Sequence, residues 1–291
     1  MRHVPLPLAW LLCLLPFYPA QSGFAQEMPY FVTYSHHMEE PGSLELESKS
    51  AVGRPPNGNR FWGASTEFEY GTRGWWTTEL YLDTALTAHQ GAVFGGFRIE
   101  NRFRPLMTEH RINPVVYVEF EDINAADKSL LEVVGHDGAA DLAVESQAAH
   151  LEKLREAELK LILSSDLKGW NVSENLIFEK NLNNSPWEFG YAIGATRPLR
   201  LGASAGPCGF CPEDLALGLE MYGGLGDRYT PGLHDTSHYV APIISWQRAN
   251  GPRLSFSPGF GLNSNSLDHI LRIGVAYEFG QVGLMLGKGG R

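Results

Sequence analysis

The chain is short of cysteine, of positive charge and of long apolar runs, and each shortage removes a class of protein. Three cysteines in 291 residues cannot staple a disulfide scaffold. Cys13 lies in the N-terminal leader, which leaves Cys208 and Cys211. Their C-x-x-C lacks the following histidine of a haem attachment site and the second cysteine pair of a zinc site, so a small disulfide in an oxidising compartment is the expectation. Lys and Arg total 23 against 33 Asp and Glu, a formal charge of −10. That balance argues against nucleic acid as a partner, because phosphates need a basic surface. Beyond the leader no stretch reaches the roughly 18 consecutive apolar residues of a membrane-spanning helix. A mean hydropathy of −0.18 taken alone indicates a soluble chain. Strands that alternate apolar and polar residues escape both tests, since half of each strand dilutes the other half.

Residues 1–25 have the layout of a secretory leader. Arg2 and His3 make a basic start, Leu8 to Phe17 an apolar stretch, and Gly23-Phe24-Ala25 a small-x-small cleavage site. The leader is expected to be removed. Residues 26–42 then have no clear period and are expected to lie in the periplasm. They include His36-His37-Met38-Glu39-Glu40, which offers imidazole, thioether and carboxylate groups. Adjacent histidines do not readily chelate one ion without further ligands, so this stretch is read as solvated chain, with no metal and no cofactor required.

From residue 43 the chain alternates with period two, the signature of strand, because successive side chains point to opposite faces. In Trp76–Thr87, Leu80 and Leu82 fall on one face with Glu79, Tyr81 and Asp83 on the other. In Val93–Phe103, Phe97 and Ile99 oppose Arg98, Glu100 and Arg102. Similar runs recur to Phe279, about twelve in all, with one departure: Glu174 falls on the apolar parity of its run. Residues 43–280 are therefore expected to form one all-β unit, interrupted by an insert at 124–155 whose Asp141–Glu156 stretch reads as helical. Residues 281–291 form a tail. Counted from the first strand, even-numbered links are mostly short (Gly71–Gly74, Pro105–Arg111, Lys168–Gly169, Asn250–Gly251), and the odd-numbered ones include the long insert. Bacterial barrels have this asymmetry, with short periplasmic turns and longer outer loops.

With its leader, dyad strands, aromatics near strand ends and the closing Ala276-Tyr277-Glu278-Phe279, the chain resembles bacterial outer-membrane β-barrels. It is similar in particular to uncharacterised transporter-like barrels of environmental bacteria, through Ser164–Asn171 and Trp187–Tyr191. The resemblance implies an antiparallel transmembrane β-barrel in the cell outer membrane. It also implies membrane lipid and the barrel-assembly machinery as partners, the latter reading the terminal strand. It brings no catalytic motif.

In such a barrel the charged parity faces the lumen. The network expected there comprises Glu67, Glu69, Glu79, Asp83, Arg98, Glu100, Arg102, Glu119, Glu121 and Lys160. A two-residue turn at Gln90-Gly91 would set Asp83 opposite Arg98 and Glu79 opposite Arg102. The expected function is a narrow pore or facilitator for a small polar or charged solute. The alternatives are a non-conducting scaffold that binds partners through the 124–155 insert, and an outer-membrane hydrolase using His234, Asp235, Ser237 and His238. Those four lack a nucleophile elbow, so the chain is read as a non-enzyme.

Overall fold

A computed structural model describes residues 28–183, 185–202, 210–247, 251–280 and 282. Twelve antiparallel strands close on themselves: β1 (Leu44–Gly53), β2 (Phe61–Arg73), β3 (Trp76–Thr87), β4 (Val93–Phe103), β5 (Asn113–Asn124), β6 (Lys153–Leu167), β7 (Trp170–Asn181), β8 (Trp187–Pro198), β9 (Leu215–Asp227), β10 (His238–Gln247), β11 (Arg253–Gly261) and β12 (His269–Phe279). Each strand pairs with its sequence neighbours, and β1 pairs with β12 from Leu44↔Phe279 to Gly53↔Ile270. Closure leaves no edge strand with unpaired backbone groups.

The alternation runs inside out. On β3, Leu80 is 40% exposed and Glu79 2%. A soluble sandwich would bury the leucine and hydrate the glutamate, so the outer surface here is one for lipid. Trp75, Trp76 and Phe103 cluster with ring centroids 6.0–6.3 Å apart at the short-turn end, where Trp170 opens β7. Trp62, Phe94 and Trp187 ring the opposite end. Such girdles place amphipathic rings at the two membrane interfaces. Glu174 keeps the parity of its strand and is exposed on the outer wall, paired across to Leu163 and Ile193.

The β3–β4 hairpin departs from expectation. Its link spans residues 88–92, and a bulge beside Asp83 shifts the register, so that Arg98 lies opposite Tyr81, Arg102 opposite Thr77 and Glu79 opposite Glu100. The extra residue is accommodated at Gly95-Gly96. Gly96 has φ +141°, and a Cβ there would lie 2.3 Å from the Asp122 carbonyl oxygen. A bulge re-aims side chains, and the expected ion pairs form diagonally instead of directly across.

Two segments fill the lumen. Residues 28–42, expected in the periplasm, run inside the barrel, with Tyr30, Phe31, Val32, Thr33, Ser35 and His36 buried against its wall. The insert between β5 and β6 folds inward from the other end, burying Lys128, Leu131, Val133 and Val134. Its helical content is one 3₁₀ turn at Asp141–Ala143 and α1 (Ser146–Ala149), because β6 begins already at Lys153 and takes the rest of the expected helix into the sheet. Each insert has a glycine seat in the wall. A Cβ on Gly63 would fall 1.9 Å from the Lys128 carbonyl oxygen, and one on Gly71 2.0 Å from that of Glu40.

Candidate functional site

The inner wall carries an ion-pair network in three linked parts. Arg102, fully buried on β4, reaches Glu69 on β2, Glu79 on β3 at 2.6 Å and Glu100 on its own strand at 3.3 Å. Tyr81 donates towards Glu79 (2.6 Å) and Glu100 (2.9 Å) beside it. One layer up, Arg98 contacts Asp83 at 2.9 Å and Glu121 at 3.0 Å, with Glu119 at 3.9 Å. The same guanidinium reaches into the inserted loop, to Asp127 at 2.8 Å and Glu132 at 2.5 Å. On β6, Lys160 lies 2.7 Å from Glu158 and 3.8 Å from Glu132, with its ammonium over the rings of Tyr117 (4.1 Å) and Tyr34 (4.7 Å). Glu67, 3.0 Å from Lys49, brings its carboxylate within 4.8 Å of those of Glu69 and Glu79. All ten lumen residues expected from parity thus face inward and are buried.

What parity did not reveal is that this network holds the inserts. Glu220 on β9 accepts the backbone N–H groups of Phe31, Val32 and Thr33 at 2.7–3.2 Å. Asn175 accepts from Tyr34 N at 2.6 Å and returns a bond to Tyr34 O at 2.9 Å. Tyr34 sends its hydroxyl to Glu100, 3.2 Å away, and packs on Tyr117. Met38, Val115, Tyr117 and Ile162 close into a small apolar cluster around it. On the outer side, Arg272 donates to Leu130 O at 2.9 Å. Lys128 donates to Leu142 O and Val144 O, both at 2.9 Å, and burial lowers its pKa to about 8. One signal for these contacts lay in the sequence. Val115, Ile162, Ile177 and Ile243 occupy lumen parity and are buried, and an apolar side chain pointing into a lumen needs something to pack on.

Between the loop and the wall lies a cavity of about 520 Å³ bordered by Arg98, Glu121, Glu156, Glu179, Glu188 and Tyr239. Carboxylate oxygens of Glu121, Glu156 and Glu179 all lie within 4.8 Å of one another.

At the short-turn mouth the rings of His36 and His37 lie 4.5 Å apart, tilted by 51°, and meet carboxylates from β6 and the β4–β5 link. His36 Nε2 is 3.0 Å from Glu109, and His37 Nε2 is 2.9 Å from Asp166. Burial, with His37 adding to it, lowers the pKa of His36 to about 4.

The hydrolase residues do not assemble. His234 and Asp235 form an exposed pair at 2.8 Å, Ser237 donates to Asp137 O and Asn265 O, and His238 contacts Thr236 and Tyr191. The expected serine, Ser237, is thus held by backbone carbonyls and not by either histidine, and the hydroxyl beside His238 Nε2 is that of Thr236. Cys211 is disulfide-bonded; Cys208, the leader and residues 283–291 of the tail lie outside the described residues.

No protein-family model matches the chain, and no curated protein matches it in sequence. Among solved structures, an outer-membrane channel from Pseudomonas putida F1 superposes with a TM-score of 0.53 at 12% identity, covering 83% of this chain and 97% of that one. The KdgM porin in complex with disordered oligogalacturonate gives a TM-score of 0.49 at 8% identity, covering 81% and 99%. The translocator domain of the autotransporter NalP from Neisseria meningitidis gives 0.44 at 10%, covering 84% and 90%. At these identities the likeness is one of fold. The fold is that of the bacterial outer-membrane β-barrels, with the lipid-facing outer surface such a barrel has.

Proposed function

We propose that the barrel is a narrow, gated facilitator that passes a small polar or cationic solute across the outer membrane. The observation that carries this reading is how the lumen is closed. The two inserts are held by ion pairs and hydrogen bonds around a chamber lined with carboxylates. When an insert moves, its ion pairs and hydrogen bonds can be replaced by bonds to water and solute, which apolar packing would not allow. The shared fold with an outer-membrane channel agrees with it. A second reading, a non-conducting scaffold, draws on the same closure, because the inserts leave little open path at rest. Planar-bilayer recording of the refolded chain separates the two. Discrete cation-preferring steps that lengthen under applied voltage support the facilitator. Silence at all voltages, in protein that shows heat-modifiable gel mobility, supports the scaffold.

A further inference from the structure

The two histidines of the N-terminal segment are adjacent, and the barrel wall supplies what they lack. His36 is buried, with its Nε2 3.0 Å from one oxygen of Glu109 and 3.9 Å from Asp166 Oδ2, while His37 Nε2 is 2.9 Å from that same Asp166 oxygen. One ligand atom from each of His36, His37 and Asp166 lies within 4.8 Å of the others. In a tetrahedral zinc site with bonds of about 2.1 Å, donor atoms stand about 3.4 Å apart. The separations here, 2.9–3.9 Å, bracket that spacing.

The surroundings have the form of an outer coordination shell. His36 Nδ1 is 2.8 Å from Ser164 Oγ, a contact that directs Nε2 towards the carboxylates. Asp166 accepts from Asn171 Nδ2 at 2.7 Å on its other oxygen, Oδ1. Glu109 is held by Arg104 at 3.1 Å and by Asn113. Metal-bound histidines and carboxylates are oriented by partners of this kind. Asp166 and Glu109 are about a third exposed (37% and 36%), which gives an ion a path from the periplasm.

We propose that His36, His37, Asp166 and Glu109 form a binding site for a borderline divalent transition ion, zinc foremost, which clamps the N-terminal segment to the barrel mouth. Two imidazoles and two carboxylates are a nitrogen–oxygen donor set that suits zinc over calcium or magnesium, which take oxygen ligands. The ion ties residues 36–37 to the end of β6 and to the β4–β5 turn. His36 would bind through the lone pair of Nε2 as a neutral imidazole, with its ring proton on Nδ1 facing Ser164 Oγ. The site does not depend on whether the barrel conducts.

The test uses untagged protein, refolded in detergent, stripped by a chelator and titrated with Zn²⁺ against a chromogenic indicator. One ion per chain is expected, not displaced by millimolar Ca²⁺ or Mg²⁺. His37→Ala and Asp166→Ala should each weaken binding at least tenfold, and Asp235→Ala, at the exposed His234 pair, should leave it unchanged. Zn²⁺ should raise the unfolding midpoint of the wild type and not that of Asp166→Ala. If Asp166→Ala fails to fold, Asn171→Ala takes its place, with about a tenfold loss expected from an outer partner. Substoichiometric binding, or equal affinity in wild type and both site variants, overturns the proposal.

Discussion

Arg98→Ala is the substitution with the most to reveal, because one guanidinium joins the wall to the gate. Arg98 is 1% exposed and bonds to Asp83 and Glu121 on neighbouring strands and to Asp127 and Glu132 of the inserted loop. Removing one partner of a buried ion pair costs about 3–5 kcal/mol, since the remaining charge is left without compensation. Here the carboxylates left behind also repel one another across the loop–wall boundary. The cheapest relief is for the loop to lift and admit water. Its other anchors to the wall, Arg272 to Leu130 O and Thr87 to Ser146, keep it attached. The expected result is a barrel that still folds, conducts more, and prefers cations more strongly, with that preference fading as acid protonates the carboxylates. Arg98→Lys keeps the charge without the fork and should fall between the two. Reversal potentials in a salt gradient, at neutral and acidic pH, provide the measurement. A lower unfolding midpoint with unchanged conductance and selectivity would refute the gating role and leave the network purely structural.

Gly63→Ala should open the outer mouth without touching a charge, because its methyl group would occupy the place of the Lys128 carbonyl oxygen; higher conductance with wild-type selectivity is the expected reading. Leu80→Arg, at a position 40% exposed on the lipid face, should cost roughly 2–4 kcal/mol in a folding titration into bilayers. Glu174→Leu removes a carboxylate from the same outer surface and should stabilise the barrel in that titration; equal or lower stability would mean that Glu174 has a partner in the membrane. Lys128 gives a pH dependence. Its folded pKa of about 8 lies below its ordinary 10.5, so between those values the unfolded chain holds a proton that the folded chain has lost, and stability rises with pH across that window. Urea unfolding at pH 7.5 and 10 should show wild type gaining relative to Lys128→Met.

Period-two alternation located the strands and put the charged residues of β2 to β6 on one face, because side-chain direction in a strand depends only on position along it. Alternation alone fits a sandwich as well as a barrel, and it was the loop lengths and the likeness to outer-membrane barrels that pointed to closure. Other features depended on contacts between distant parts of the chain. The register of Arg98 and Arg102 turned on a bulge at Gly95-Gly96, which alternation does not record. The position of residues 28–42 depended on Glu220, Asn175 and Tyr117, far along the chain, offering bonds to a segment with no period of its own. His36 and His37 form an ordinary dipeptide in sequence. Only the folded barrel brings Asp166 of β6 and Glu109 of the β4–β5 link to the same mouth as the two histidines, because closure converts distance along the chain into proximity across the lumen.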